Sequence, residues 1–148
     1  MNDVTALADR YVAVWNEPDP AARRAGVRAL WSADASHTIQ PPHEIGAAAA
    51  ALGVAVDLEA RGHAALEERV AKSHDEFVAR GGFVFRPAGD ATRLRDMVKL
   101  RWEMVPRTGG GAAASGLQIL LLDDDGRIRL DYQSVSYTHL TLPTICSV

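Results

Sequence analysis

The 148-residue sequence predicts one α+β domain in which helices cover one face of a curved antiparallel sheet. Two observations favour this class. Apolar residues recur with helical spacing up to Gly81-Gly82, and after that point they alternate with the period of a strand. A third observation argues against a doubly wound parallel sheet, because the strands do not alternate with helices. The composition, 47% hydrophobic and 24% charged, is typical of globular domains.

Net charge and residue usage exclude several classes of function. A formal charge of −3 supplies no basic field for nucleic acid. No stretch resembles a signal peptide or a membrane span, so we expect a cytoplasmic protein without a membrane partner. The single cysteine, Cys146, permits no intramolecular disulfide. The histidines lack the close spacing of a zinc site, and we expect neither a metal nor another cofactor.

Three long helices are predicted. The first runs from Asp3 to Trp15, and Tyr11 and Trp15 share its inner face. The second begins with Asp19-Pro20, an N-cap followed by a first-turn proline, and reaches Trp31. The third covers Gly62 to Ala79 and carries His74 on its apolar stripe. An alanine-rich short helix is also predicted over Glu44 to Leu52.

The strand pattern centres on Arg93 to Val105, the longest stretch in which apolar and polar residues alternate. Asp96 is the exception, because its parity places a carboxylate on the apolar face, where an unpaired charge is costly. One further strand is predicted at Ser36–Gln40, ending before Pro41-Pro42, and another at Phe83–Phe85. The last two predicted strands, Leu117–Leu122 and Ile128–Tyr132, flank a turn at Asp123–Gly126.

The last fifteen residues break the pattern of the rest of the chain. Charged residues vanish after Gln133, while threonine, serine and leucine become frequent. We therefore predict a domain over residues 1–133 and a non-native or disordered tail over 134–148.

Three segments resemble the SnoaL-like branch of the nuclear-transport-factor-2-like superfamily: DRYVAVWN at 9–16, LWSADA at 30–35 and LDDDGRI at 122–128. The resemblance covers about residues 3–133. It implies a cone-shaped α+β barrel, whose curved antiparallel sheet wraps around three N-terminal helices and encloses one apolar pocket. Members include ketosteroid isomerases, polyketide cyclases, epoxide hydrolases and dehydratases, so the fold by itself does not define the function.

The ketosteroid isomerase pattern can be carried over to three positions. Tyr11 matches the tyrosine that donates a hydrogen bond to the developing oxyanion, and Gln118 falls where the isomerase has a protonated aspartic acid. The base of that family stands just before a proline, and the matching residue before Pro41 is Gln40, which cannot accept a proton. The resemblance therefore argues against steroid isomerisation by that mechanism.

The candidate acid–base residues each have two interpretations. Asp96 on the apolar face must be paired, protonated or open to a wet cavity. His74 is either a core histidine bonded to a backbone carbonyl or a general base facing Asp96. His37 either joins Asp96 or Tyr11 or points outward from its strand. Tyr11 itself is either a pocket donor or a core residue with its hydroxyl at a wet edge.

Aromatic residues supply the candidate walls of the pocket, although plain core would look the same. Trp102 shares the parity of Asp96 and is expected to meet the ligand, together with Trp15. The opposite face of the long strand carries Arg95, Lys99, Arg101 and Glu103, which form either a solvated surface or a polar homodimer interface.

Two functions remain open. One is cofactor-free proton transfer on a small apolar, carbonyl-bearing molecule: Tyr11 and Gln118 would donate hydrogen bonds to the ligand oxygen, while Asp96 with His74 or His37 would move the proton. The other is a ligand-binding or dimerisation module without turnover, which the glutamine at position 40 favours.

Overall fold

The computed structural model describes residues 3–40, 51–52 and 58–137. Its helices are α1 (Asp3–Asn16), α2 (Pro20–Leu30) and α3 (His63–Ser73), which continues as a π-helix over His74–Arg80. The strands are β1 (Trp31–Gln40), β2 (Glu59–Arg61), β3 (Phe83–Pro87), β4 (Thr92–Leu94), β5 (Met97–Pro106), β6 (Ala114–Leu122) and β7 (Ile128–Tyr137). The predicted helix at Glu44–Leu52 lies outside the described residues, apart from its last two positions.

These strands form one open sheet in the order β2-β1-β7-β6-β5-β3, and β4 also pairs with β5. The predicted α+β class, with three helices against a single sheet, is confirmed. One pairing corrects the antiparallel prediction, because β1 and β7 run parallel. The alternation of apolar residues reports which face is buried, but it carries no information on strand direction.

Strand β1 begins directly at the end of α2. Asp19 caps the start of that helix, its side chain accepting a hydrogen bond from the Ala22 amide. At the other end Trp31 adopts an extended conformation, and its amide still donates to Val27. The strand therefore starts at Trp31, earlier than the predicted Ser36.

The long predicted strand is two strands joined by a tight turn. Arg95 has a φ of 56°, in the left-handed region, and Leu94 pairs with Met97 across the turn. Asp96 lies in this turn and is exposed. The prediction that Asp96 belongs to the apolar face is therefore wrong, because the chain reverses where the pattern continues.

Helix α1 is anchored to the sheet at its C-terminal end. The Asn16 side chain donates from Nδ2 to the Phe85 carbonyl oxygen at 2.6 Å, and its Oδ1 accepts from the Phe85 amide at 2.9 Å. The Asn16 side chain thus forms the two backbone hydrogen bonds that a neighbouring strand would form with Phe85 of β3. The imidazole of His74 donates from Nδ1 to the carbonyl oxygen of Trp15 at 3.0 Å. The Asn16 contacts thus hold α1 to the sheet, and the His74 contact holds it to the π-helix.

Strand β7 runs to Tyr137 and pairs with β6 along its length, including Ser134 with Leu117. It therefore extends past the predicted domain boundary at Gln133. The non-native origin of 134–148 stays a prediction, and residues 138–148 lie outside the described part of the chain. None of the described helices combines the length and apolarity that a membrane crossing requires.

Candidate functional site

A cluster of buried polar side chains brings together residues of α1, β1, β6 and β7. Its members are Tyr11 on α1, His37 on β1, Gln118 on β6 and Asp131 on β7, each at most 2% exposed. Burying such groups is costly unless they are hydrogen-bonded. The cluster is therefore held by a specific network.

Asp131 is the acceptor at the centre of this network. Its Oδ2 accepts from the Tyr11 hydroxyl at 2.7 Å, and its Oδ1 accepts from Gln118 Nε2 at 2.6 Å. Gln118 Nε2 also donates to the Tyr11 hydroxyl oxygen at 2.8 Å. Both carboxylate oxygens of Asp131 and both amide hydrogens of Gln118 thus form hydrogen bonds.

Trp102 determines which way the Gln118 amide points. The indole Nε1 donates to Gln118 Oε1 at 2.9 Å. Because an indole nitrogen can only donate, the amide oxygen must face Trp102 and the amide nitrogen must face Tyr11 and Asp131. The Trp102 ring packs against its register partner Gly116, where a Cβ atom would come within 2.2 Å of the ring. Glycine at this position therefore leaves the space that the indole occupies.

Burial and charge shift the pKa values of the cluster. Burial raises the pKa of Asp131, while His37, Tyr11, Gln118 and Trp31 oppose this shift. Burial, followed by the negative charge of Asp131, raises the pKa of Tyr11 well above its usual 10.0. Tyr11 therefore keeps its proton and serves as a donor to the carboxyl group.

His37 points inward, which decides against an outward strand position. Its Nε2 lies 2.8 Å from Gln133 Oε1, and its Nδ1 lies 3.0 Å from an Arg69 guanidinium nitrogen. Burial lowers the pKa of His37, with Asp131 and Gln133 opposing and Arg69 reinforcing the shift. Neither Asp96 nor Tyr11 is among its hydrogen-bond partners within the described ranges.

Aromatic rings surround the buried carboxyl group. Tyr11 lies 5.4 Å from Trp31 and 6.2 Å from Trp15, and Trp15 lies 5.6 Å from His37, between ring centroids. The indole Nε1 atoms of Trp15 and Trp31 are buried and form no hydrogen bond of normal length within the described ranges. The Trp31 indole nevertheless lies close enough to Asp131 to lower its pKa. This end of the core is rich in donors around one negative charge.

The other predicted residues lie elsewhere. Asp96 forms an ion pair with Arg129 at 3.3 Å, and both side chains are about half exposed. This exposed pair lies apart from His74 and His37, so the predicted acid–base pairs with Asp96 do not form. The bond from His74 to the Trp15 carbonyl corresponds to the core interpretation of that histidine. Gln40 is exposed at the end of β1.

Sequence reasoning missed Asp131. In the sequence Ile128, Leu130 and Tyr132 alternate as the apolar residues, so Asp131 reads as an outward position. In the structure the register with β6 shifts between Leu121 and Leu122, and Ile128 and Asp131 are both fully buried. A β-bulge of this kind reverses the parity of a strand. The only signal available beforehand was a lone carboxylate in an apolar strand.

Within the described ranges, no group of three or more His, Cys, Asp or Glu side chains is arranged to hold a metal ion. The polar cluster contains one carboxyl group and one imidazole, and both are already bound by protein donors and acceptors. A carboxyl group, a phenol and an imidazole are side chains that can accept, donate and transfer protons.

No protein-family model and no curated protein matches the chain. The chain does match solved structures. A SnoaL-like family protein from Agrobacterium tumefaciens is 20% identical, with a TM-score of 0.71, over 92% of this chain and 99% of its own. An NTF2-like protein of unknown function from Mesorhizobium loti is 18% identical, with a TM-score of 0.57, over 90% of each chain. One from Exiguobacterium is 17% identical, with a TM-score of 0.57, over 88% of this chain and 98% of its own. At these identities the likeness shows the fold.

Proposed function

From the SnoaL-like, NTF2-like fold that the chain shares with these structures, we propose that it is a cofactor-free acid–base enzyme acting on a small apolar, carbonyl-bearing molecule. Asp131 takes the role of base. The observation that carries the proposal is a fully buried carboxyl group with a raised pKa, bonded to Tyr11 and Gln118. Buried charges rarely add stability, and perturbed ionisable groups concentrate at functional sites.

The reaction class is proton transfer next to a carbonyl group. The Asp131 carboxylate removes a proton from the carbon beside the carbonyl, and the C–H electrons form an enolate whose oxygen carries the negative charge. Asp131 is then a neutral acid, so the Tyr11 hydroxyl is released to donate to the enolate oxygen. In an isomerisation, Asp131 returns the proton to a different carbon of a conjugated enolate. In a cyclisation, the enolate carbon attacks a second carbonyl carbon of the same molecule, and Asp131 gives the proton to the alkoxide oxygen that forms. A raised pKa suits a carboxylate to this task.

Proton exchange at carbon tests this role. In D2O, loss of the methyl signal of 2-acetylnaphthalene is followed by proton NMR with and without the protein. We expect exchange faster than in buffer for the wild type and the buffer rate for Asp131→Asn. Asp96→Asn is the matched control, because that carboxylate is exposed, and it should exchange like the wild type. Equal exchange by Asp131→Asn and the wild type would show that Asp131 is not the base.

A second candidate is a binding module without turnover. It is favoured by the complete satisfaction of the cluster, since both oxygens of Asp131 and both amide hydrogens of Gln118 bond within the protein. Binding of the same ketone without proton exchange would identify this function.

A homodimer through the outer face of the sheet belongs to the same proposal, as do a cytoplasmic location and an enclosed apolar pocket. On that face β6 presents half-buried Leu117, Ile119 and Leu121, and β7 presents Tyr132, which is 45% exposed. An apolar strip of this kind suits a second copy related by two-fold symmetry. Sedimentation should show a dimer for the wild type and a monomer for Ile119→Asp.

A further inference from the structure

We infer that the Gln133 side-chain amide donates a hydrogen bond to the ligand, and that Arg69, acting through His37, orients this amide. Gln133 lies on the inner face of β7, two positions after Asp131. The inference rests on the proposed function, because it assigns a further contact within the same site. It names a ligand group as well: an oxygen that accepts a hydrogen bond.

The contacts of His37 determine which of its ring nitrogens carries the proton. A guanidinium nitrogen can only donate, and Arg69 donates both to His37 Nδ1 at 3.0 Å and to the His37 carbonyl oxygen at 2.9 Å. His37 Nδ1 must therefore carry a lone pair. The neutral imidazole then has its proton on Nε2, and a positive charge on the ring would face the charge of Arg69.

This tautomer of His37 determines the orientation of the Gln133 amide. The Nε2–H group of His37 points at the Gln133 side chain at 2.8 Å, so the acceptor there must be the amide oxygen. The Gln133 amide nitrogen is thereby turned away from His37 with two hydrogens to donate. Within the described ranges this nitrogen has no hydrogen-bond acceptor. Gln118, its register partner on β6, differs because both of its amide hydrogens are used.

Gln133 is more accessible than the other polar residues of the network. His37, Gln118 and Asp131 are fully buried, whereas Gln133 is half-buried. Gln133 is thus the member of the network that a ligand reaches without displacing an existing hydrogen bond. Alternate residues of a strand are roughly 7 Å apart on one face. A ligand whose reacting carbon lies at Asp131 can therefore place an oxygen at the Gln133 amide.

The orientation by Arg69 is tested on the protein alone. Nitrogen-15 NMR of the imidazole should show a single Nε2–H tautomer for His37 in the wild type. Arg69→Met should populate the Nδ1–H tautomer or the charged ring, whereas Arg28→Met should not, since Arg28 is exposed on α2 and pairs with Glu67. An Nδ1–H tautomer in the wild type, or a His37 spectrum that Arg69→Met leaves unchanged, would overturn the assignment.

The ligand contact is tested with two probes of the same shape. 2-Acetylnaphthalene carries a carbonyl oxygen, and 2-isopropenylnaphthalene has a CH2 group in its place. Dissociation constants are measured by NMR titration. Gln133→Leu should weaken binding of the ketone about three- to tenfold and leave the hydrocarbon unchanged. The control Ser134→Ala, on the exposed face of the same strand, should change neither.

The outcomes separate this inference from the proposed function. Equal effects of Gln133→Leu on both probes, or no effect on the ketone, would overturn the inference while leaving Asp131 as the base. A selective loss of ketone binding without any proton exchange would support the inference and reject the enzyme. Failure of both probes to bind the wild type would overturn both.

Discussion

Replacing Gly116 by alanine tests how tightly Trp102 is packed against β6. The new Cβ would lie 2.2 Å from Trp102 Cε2 and Cζ2 and 2.7 Å from Nε1. The ring cannot shift without loss, because it packs edge-on against Phe85 at 5.4 Å and donates to Gln118. Overpacking costs about 1–3 kcal/mol, and a buried acceptor left without its donor costs about 1–3 kcal/mol. We therefore expect a loss of about 3 kcal/mol in the free energy of unfolding.

Urea unfolding measures this loss, and the melting temperature should fall by about 6–12 °C. Gly111→Ala is the matched control, since a Cβ there meets nothing within 4 Å, and its free energy of unfolding should stay within about 0.5 kcal/mol of the wild type. In a Trp102→Phe background, Gly116→Ala should cost less. A stability for Gly116→Ala equal to that of the control, or a cost unchanged by Trp102→Phe, would refute the steric argument.

Three further predictions concern stability. Burial raises the pKa of Asp131 above its usual 3.8, so the folded chain binds that proton more tightly than the unfolded chain. The stability of the wild type relative to Asp131→Asn should therefore fall as the pH rises above about 4 in urea titrations; a constant difference would contradict this. Asn16→Ala leaves the Phe85 amide and carbonyl without partners and should cost about 2–4 kcal/mol by the same measurement, whereas wild-type stability would exclude the proposed anchoring. Asp96→Asn breaks only an exposed ion pair with Arg129, so a change above about 1 kcal/mol would contradict its placement.

The helices and most strands could be predicted from the spacing of apolar residues, because an element that packs on one face carries its apolar residues at regular intervals. Helix α1 ends one residue beyond its predicted end, and the turn at Asp123–Gly126 lies where the sequence placed it. The long strand at Arg93 failed because the two-residue turn contains neither glycine nor proline, and a left-handed arginine leaves no mark in the sequence. The parallel neighbour of β1 could not be predicted either, since strand direction depends on the path of the whole chain.

The site was predictable only in part. Tyr11, Gln118 and Trp102 were singled out beforehand, and the structure brings them into one network, although their roles toward a ligand stay predictions. Asp131 escaped because a register shift, which no local pattern records, turns it inward. Asp96 was chosen for the opposite reason, since its parity looked inward while the backbone turned it out. In both cases one irregular backbone position decided which carboxylate is buried.

The parallel pairing of β1 with β7 has a consequence for biosynthesis. Tyr11 and Asp131 are 120 residues apart in the chain, so the contact at the heart of the core has a large sequence separation. Such contacts form late, because the entropy of closing a long loop must be overcome first. While the ribosome is still translating the stretch before Ile128, β1 lacks this neighbour and α1 lacks part of the surface it packs on. We therefore expect this domain to fold only after β7 has been synthesised. A chain truncated before Ile128 should expose an unpaired, aggregation-prone strand edge.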